Sequence, residues 1–143
     1  MGKGNVLSNG LLNLIFQGTT LANIAENASS SPLTTLYVAL HTADPTASGN
    51  QSSNECTYTG YARVGIVRTS SGWTTASGES VSPQAAITFP PGTGGSGTAT
   101  FFSIGSASSG AGEILYSGPI TPSIVTGNGV TPQLTTGTTV TES

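Results

Sequence analysis

Charged side chains are scarce in this sequence of 143 residues. Lysine and arginine together number 3, and aspartate and glutamate number 6, so charged residues make up 6% of the chain, against about a quarter in an average soluble domain. A surface that binds nucleic acid or anionic lipid needs clustered cations. Because the cations are only Lys3, Arg63 and Arg68, the composition predicts no partner of either class. Low charge also leaves little repulsion between copies of the chain.

Cysteine and long apolar runs are also lacking. Cys56 is alone, so an intrachain disulfide and a cysteine-rich metal site are excluded, and we expect an incidental, half-buried thiol. No apolar run approaches the length of about 18 residues that spans a membrane. The segment LLNLIF follows Lys3 as in a signal peptide, but Asn13 interrupts it and no small-residue cleavage site follows. We therefore expect a protein made without a targeting signal.

Residues 6–25 form the best helical candidate. Leu11, Leu12, Ile15 and Phe16 recur at helical spacing, Ser8 is placed to cap the helix, and Gly18 should end its first piece. Apolar residues at 21–25 predict a further turn. Two interpretations stay open, an arm that docks on a neighbouring subunit and a helix that covers its own β core. We divide the chain into an N-terminal helical arm, 1–30, and a β domain, 31–143.

The remainder is rich in strand patterns. Apolar and polar residues alternate in short segments between turns rich in Gly, Pro and Ser, which predicts a mainly β fold, a single antiparallel β-sandwich or barrel-like domain. Adjacent Phe101 and Phe102 should point to opposite faces, so one of them leaves the core for a helix or a partner. The predicted strands are 36–41, 58–68, a short one from Trp73, 81–89, 98–104, 113–118, 120–125, 130–134 and 138–142.

Two motifs resemble functional sites. Gly92, Gly94 and Gly97 match G-x-G-x-x-G, but a nucleotide site needs a helix after the motif, and here a strand-like run follows, so we interpret the motif as a flexible hairpin loop. His41 with Asp44 and Glu55 suggests a metal or hydrolase site. Metal sites need three or four converging ligands, and no G-x-S-x-G elbow occurs. We predict no catalytic residue, metal or cofactor.

The same residues have structural interpretations. We expect His41 to be a surface residue at the end of a strand, and Asp44 to cap the turn that Pro45 makes rigid. Arg63 and Arg68 are five residues apart and should face opposite sides of a strand. Each is expected to pair with a carboxylate, which for Arg63 is Asp44 or Glu55. That pair is either a bidentate contact at a subunit interface or an ordinary surface ion pair.

A family resemblance rests on the order of several segments. LYVALHTADPTASG, YTGYARV, AITFP, FFSIG and ASSGAGEILYSG follow one another between residues 36 and 118, and SIVTGNGVTPQL adds a weaker C-terminal match. In this order the chain resembles a widespread family of small virion proteins of tailed bacteriophages, often labelled tail or tail-fibre proteins. The resemblance implies a compact β domain that assembles in many copies on the particle, and it supplies no catalytic residues.

From the resemblance and the compact size we expect a virion protein, assembled in the host cytoplasm, that decorates and stabilises the capsid. A fibre would usually show repeats or a coiled coil, and neither is visible. The alternatives are a tail, neck or fibre-associated component and a carbohydrate-binding adsorption module. Expected partners are the major capsid protein or other virion proteins, with a trimer or dimer of the chain itself. The 42–57 loop is our first candidate contact. The predicted contact residues are Leu12, Phe16, Asp44, Glu55, Arg63 and Phe102.

Overall fold

A computed structural model describes residues 5–20 and 33–142. The strands whose register is defined pair antiparallel, so the prediction of a mainly β, antiparallel fold with a short N-terminal helix is confirmed. Within the described ranges the sheets do not close into a barrel. The elements are α1 (Asn5–Gln17), β1 (Thr35–His41), β2 (Val64–Val67), β3 (Ser80–Val81), β4 (Ile87–Thr88), β5 (Ser96–Gly105), β6 (Ile114–Gly127), β7 (Gln133–Leu134) and β8 (Val140–Thr141).

The chain groups into two compact units. Unit 1 takes its described residues from Met1–Thr35, Val67–Ala86 and Thr135–Ser143, and unit 2 consists of Leu36–Ile66 and Ile87–Leu134. The predicted boundary between arm and β domain, after residue 30, lies outside the described residues. So does the further helical turn predicted at 21–25.

In unit 1, α1 buries one apolar stripe. Leu12 and Phe16 are 0% exposed, and the Phe16 ring meets the Trp73 ring edge-on with 4.5 Å between centroids. Ser8 lies one turn before Leu12, inside the helix and fully buried, so the prediction that it caps the helix is wrong. The helix already runs from Asn5, and a residue at its fourth position packs inward with this stripe. α1 therefore packs against its own chain.

Polar side chains of α1 hold the same segment of unit 1. The amide oxygens of Asn9 and Asn13 accept hydrogen bonds of 2.8 Å from the backbone N–H groups of Glu79 and Ala76. One turn later, Nε2 of Gln17 donates to Oγ1 of Thr75 over 3.2 Å. Residues four apart share one face of a helix, so these three amides form a ladder, the amide ladder, along the 75–79 backbone.

The end of α1 is capped by an arginine. Arg68 donates from Nη2 to the carbonyl oxygen of Leu14, from Nε to that of Ile15, and from Nη1 to that of Leu33 at 3.0 Å. Last-turn carbonyls lack partners within a helix, and a cation there also complements the helix dipole. Gly18 follows with φ +67°, so it ends the helix as predicted. Within residues 5–20 and 33–142, the partners of the Arg68 side chain are thus backbone carbonyls and not the carboxylate that we expected.

Unit 2 is built on the sheet with strand order β2-β1-β5-β6. Val38 of β1 lies opposite Ile104 of β5, and both are buried. β1 has a strand on each side, and its residues from Val38 to His41 are buried without interruption. Both faces of β1 are therefore covered in this part of the strand. The alternation of polar and apolar residues in the sequence does not reveal this.

β6 forms one edge of this sheet. Phe101 pairs with Pro119 and Ala99 pairs with Ile124, so the pairing advances two residues on β5 but five on β6, and residues 120–123 form a bulge. The predicted strands 113–118 and 120–125 are therefore one irregular strand. Pro119 and Pro122 lack the N–H group that a neighbouring strand would need.

Two other predicted strands are wrong in extent. Only Val64–Val67 of the predicted strand 58–68 is regular, because the backbone turns where Tyr61 N–H donates to the Tyr58 carbonyl at 3.0 Å. The prediction for 81–89 splits into β3 and β4, and Trp73 makes only an isolated bridge with Pro83.

The glycine motif is part of a packed loop. A Cβ on Gly92 would lie 2.0 Å from the Gly127 carbonyl oxygen, and one on Gly94 would lie 3.1 Å from Oγ1 of Thr59. β5 begins at Ser96, within the motif, where the nucleotide fingerprint requires a helix. The motif is not a hairpin either, because β4 pairs with β7 and β5 with β6.

Candidate contact surface

The 42–57 loop leaves the end of β1 and returns beside it. Thr42 N–H donates to the Asn54 carbonyl, and Cys56 N–H donates to the Leu40 carbonyl, each at 2.8 Å. A second loop, 106–113, joins β5 to β6, and the two loops meet where Gln51 N–H donates to the Gly112 carbonyl at 2.8 Å. The two loops leave β1 and β5 at opposite ends, since His41 pairs with Phe101 and Tyr37 with Gly105, and the 42–57 loop folds back along β1 to meet the 106–113 loop.

Asp44 shapes the first turn of the 42–57 loop. Its Oδ1 accepts a hydrogen bond of 2.8 Å from the Thr46 N–H, which makes the predicted capping turn, and Pro45 is fully buried beside it. Asn54 Nδ2 closes the loop by donating to the Asp44 carbonyl at 3.1 Å. The prediction for Asp44 as a turn cap is confirmed, and its carboxylate stays exposed.

Arg63 and Glu55 form a bidentate ion pair beneath the loops. Nε lies 2.7 Å from Oε1 and Nη2 lies 2.8 Å from Oε2, and the Arg63 side chain is 1% exposed. The interpretation as a surface ion pair is therefore wrong, because the two loops cover the guanidinium. Glu55, hydrogen-bonded to it, raises the pKa of Arg63 further above its ordinary value, so the guanidinium stays charged.

The same guanidinium reaches the second loop. Nη1 donates to the Ala107 carbonyl at 2.9 Å, and Nη2 donates to the Gly110 carbonyl at 2.6 Å. Gln51, also fully buried, accepts from Ala107 N–H at 3.0 Å and donates from Nε2 to the Tyr37 carbonyl at 2.9 Å. Arg63 and Gln51 therefore fix the two loops to each other and to β1.

Tyr61 supplies a further link to β1. Its hydroxyl donates to Oε1 of Glu55 at 2.9 Å and accepts from the Leu40 N–H at 3.0 Å. The side chain thus takes the place of a ladder partner where the 58–63 segment departs from the sheet. Burial raises the pKa of Tyr61 well above its ordinary value, so the hydroxyl keeps its proton.

His41 is buried between the 42–57 loop and β5. Nδ1 lies 2.8 Å from the Ser53 carbonyl oxygen and Nε2 lies 2.8 Å from Ser103 Oγ. A carbonyl only accepts, which assigns the proton to Nδ1 and makes Nε2 the acceptor. Desolvation by burial lowers the pKa of His41 below 6.5. The prediction of a surface histidine is wrong, because the loop folds over the strand end.

A serine bonded to a histidine also occurs in hydrolases, but this pair is built differently. His41 and Ser103 are both 0% exposed, and Nδ1 bonds a backbone carbonyl where a catalytic triad has a carboxylate. No substrate reaches the hydroxyl in this arrangement. The pair instead ties the loop to the sheet.

The other predicted contact residues are largely covered. Leu12 and Phe16 are buried in unit 1, and Phe102 is 8% exposed in β5, between Leu40 and Gly118 of the flanking strands. Phe101 is half-buried, so the adjacent rings differ in exposure, as residues on opposite faces do. Contacts of these residues with another subunit stay a prediction, and their side chains offer little surface for one.

The outer side of the two loops is exposed and made of short side chains. Its charges are the carboxylates of Asp44 and Glu113. Because the buried network fixes the backbone below, this face can present hydroxyls and amide groups in a set arrangement. We call the following exposed residues the contact surface: Thr42, Ala43, Asp44, Thr46, Ala47, Ser48, Ser52, Asn54, Thr57, Ser108, Ser109, Gly110, Ala111 and Glu113.

Sequence reasoning missed Gln51 and Ser103, which hold this surface in place. A faint signal for Gln51 existed in two glycines, since a Cβ on Gly105 would lie 2.3 Å from Cδ of Gln51, and one on Gly112 would lie 2.3 Å from its Oε1. A glycine in a sequence reveals a close approach without naming the partner.

Comparison with known proteins gives the family. None of the helices in the described residues is long and apolar enough to cross a membrane. Curated proteins contain no match to the chain. A family model described as "Podophage GP4 fiber I protein gp80" matches residues 2–142, which is nearly the whole sequence. The predicted resemblance to small virion proteins of tailed phages is confirmed. The chain belongs to this family of podophage fibre proteins and is a bacteriophage virion structural protein.

Proposed function

We propose that the chain is a structural subunit of a podophage tail fibre. The family match over residues 2–142, to proteins described as fibre proteins, is the observation that carries the proposal. The buried network under the contact surface supports it, because its polar groups hold loops in place. We therefore interpret the described site as a surface that binds other subunits of the particle.

The contact surface suits a subunit that must bind neighbours in a fixed arrangement. Loops that are already ordered lose little conformational freedom on binding. Arg63 is buried against Glu55, so no exposed cation of unit 2 repels a copy of the chain or selects an acidic partner. We propose other virion proteins and further copies of the chain, in a dimer or trimer, as the partners of this surface.

Capsid decoration stays a prediction and becomes the other outcome of the same test. It rested on the absence of repeats and on compact size, and a fibre assembled from several different short chains has the same properties. Location separates the two roles. A gold-labelled antibody against the chain, imaged on intact particles, should mark the tail fibres.

Copy number gives an independent measurement. Capsid lattices repeat their decoration sites many times, whereas fibres attach around the tail in small numbers. Quantitative mass spectrometry should find far fewer copies of this chain than of the major capsid protein. Hundreds of copies per particle, with label over the head, would overturn the fibre proposal. Hits on a glycan array would point to the adsorption module instead.

Variants test the contact surface itself. Ser48→Arg and Ser109→Arg place a bulky cation on exposed parts of the two loops, and we expect folded protein that no longer enters particles. Thr136→Arg is the matched control, since Thr136 is exposed in unit 1 and should enter normally. Normal incorporation of both loop variants would show that the contact lies elsewhere.

A further inference from the structure

His41 joins the 42–57 loop to the sheet by two hydrogen bonds of opposite polarity. Nδ1–H donates to the Ser53 carbonyl of the loop, and Nε2 accepts from the Ser103 hydroxyl of β5, both at 2.8 Å. Only the neutral ring with its proton on Nδ1 satisfies both partners at once. These two hydrogen bonds between the loop and the sheet therefore depend on the protonation state of one side chain.

Protonation changes this arrangement in two ways. Nε2 becomes a donor, so the Ser103 hydroxyl must turn and find another acceptor for its own proton. A positive charge also appears on a ring that is 0% exposed, and burying an unpaired charge is costly. Opening the loop relieves both, because water then solvates the imidazolium.

We propose that His41 is an acid-sensitive latch that holds the 42–57 loop on the sheet when neutral and releases it when protonated.

The surrounding charges do not compensate a buried imidazolium. The field of Arg63 opposes it, whereas Glu55 and Asp44 favour it. However, the Glu55 carboxylate already accepts two bonds from Arg63 and one from Tyr61, and Asp44 is exposed to solvent.

The other elements packed against His41 bring no further charge. On β5, Ser96–Gly105 contains no titratable side chain. Burial raises the pKa values of Cys56 in the loop and of Tyr61 beside it, so both are neutral at acid and neutral pH. Desolvation therefore decides the direction in which the pKa of His41 is shifted.

The direction of the pH effect follows from linkage. Burial holds the pKa of His41 below its ordinary value of 6.5 in the closed state, so the open state binds the proton first. Opening becomes favoured as the pH falls below 6.5. The equilibrium constant for opening then rises by up to about tenfold per pH unit, until the closed state is protonated too. Above 6.5 the latch is fully closed.

Two side chains of the protein can report separately on opening of the loop and on folding. The sequence has a single His, a single Cys and a single Trp. Cys56 closes the loop and is 2% exposed, so its reaction with 4,4′-dithiodipyridine measures opening. Trp73 lies in unit 1, and its fluorescence reports whether that unit stays folded. Labelling is followed in the full chain from about pH 7.5 to about pH 4.5, relative to the urea-unfolded chain at each pH.

We expect the relative labelling rate of Cys56 to rise at least tenfold over this range while Trp73 fluorescence is unchanged. His41→Gln keeps an amide donor and acceptor but does not titrate, and its labelling rate should be independent of pH. A flat profile in the wild type, an equal rise in His41→Gln, or a simultaneous change at Trp73 would overturn the latch. If His41→Gln does not fold, the NMR titration of His41 decides, because a pKa at or above 6.5 would contradict a closed neutral latch.

Discussion

Arg63 and Glu55 face each other in two parallel hydrogen bonds, Nε to Oε1 at 2.7 Å and Nη2 to Oε2 at 2.8 Å. The pair is eight residues apart in sequence and connects a loop to the segment that precedes β2. Both ends of the guanidinium also bond carbonyls of the 106–113 loop. One side chain thereby satisfies groups from two other segments of unit 2 and joins them to its own.

Arg63→Met should unfold the chain at lower urea concentration. It leaves the Glu55 carboxylate and the Ala107 and Gly110 carbonyls without their donor, and breaking a buried ion pair from one side typically costs about 3–5 kcal/mol. Urea denaturation followed by circular dichroism measures the loss. Arg63→Lys keeps the charge without the planar fork and should recover only part of it.

The control is the double variant Glu55→Leu with Arg63→Met. Removing both charges leaves no unpaired ion, so the double variant should be more stable than Arg63→Met alone. Additive losses from the two single variants would mean that the residues act independently, contrary to the geometry.

Gly105→Ala should destabilise the loops by about 1–3 kcal/mol. Its Cβ would lie 2.3 Å from Cδ of Gln51 and 2.3 Å from the Glu113 carbonyl oxygen, and one of these atoms belongs to the backbone. The matched control is Gly137→Ala, whose nearest neighbour would be Oγ1 of Thr135 at 3.4 Å, an ordinary contact. Thermal unfolding of the two variants compares them, and equal melting temperatures would contradict the packing around Gln51.

Phe16→Ala should cost about 3–5 kcal/mol, the usual loss for a buried phenylalanine. Phe16 is 0% exposed against Trp73, whereas Val6 on the same helix is 85% exposed. Val6→Ala should therefore change stability by less than about 0.5 kcal/mol. Urea unfolding followed by Trp73 fluorescence separates the two, and a Phe16→Ala chain as stable as the wild type would show that the helix is dispensable to the fold.

Stability should fall in alkali from about pH 9. Burial raises the pKa of Cys56 from 9.0 to about 11, and it also raises the pKa of Tyr58, Tyr61 and Tyr116. The unfolded chain loses these protons first, so each pH unit above the unfolded pKa favours unfolding. Urea midpoints at pH 8, 9 and 10 measure the slope, which should be smaller between pH 9 and 10 in Cys56→Ala. A midpoint that stays constant would contradict the burial of these groups.

Several features that depend only on residues close together in the sequence were predicted correctly. The run at 98–104 lies within β5, α1 carries the predicted apolar stripe, and Gly18 ends it. Each depends on spacing or on backbone freedom within a few residues. Asp44 was predicted for the same reason, since its partner is the amide two residues along.

Features that depend on distant segments were not predicted correctly. His41 is buried because Ser53 and Ser103, 12 and 62 positions away, close over it. Arg63 is buried by carbonyls 44 and 47 positions away. Alternation shows which side chains share a face, but it does not show which loop covers that face. The contact surface as a whole was therefore not predicted from the sequence, because it is formed by two loops that only the topology of the sheet brings together.

The amide ladder of α1 has a consequence for the 75–79 segment of unit 1. Backbone N–H groups of Ala76 and Glu79 are occupied by Asn13 and Asn9, so a stray strand from another copy finds those donors already taken. Exposed strand edges invite uncontrolled aggregation. A helix with an amide on every fourth residue therefore shields the donors of this segment as a paired strand would.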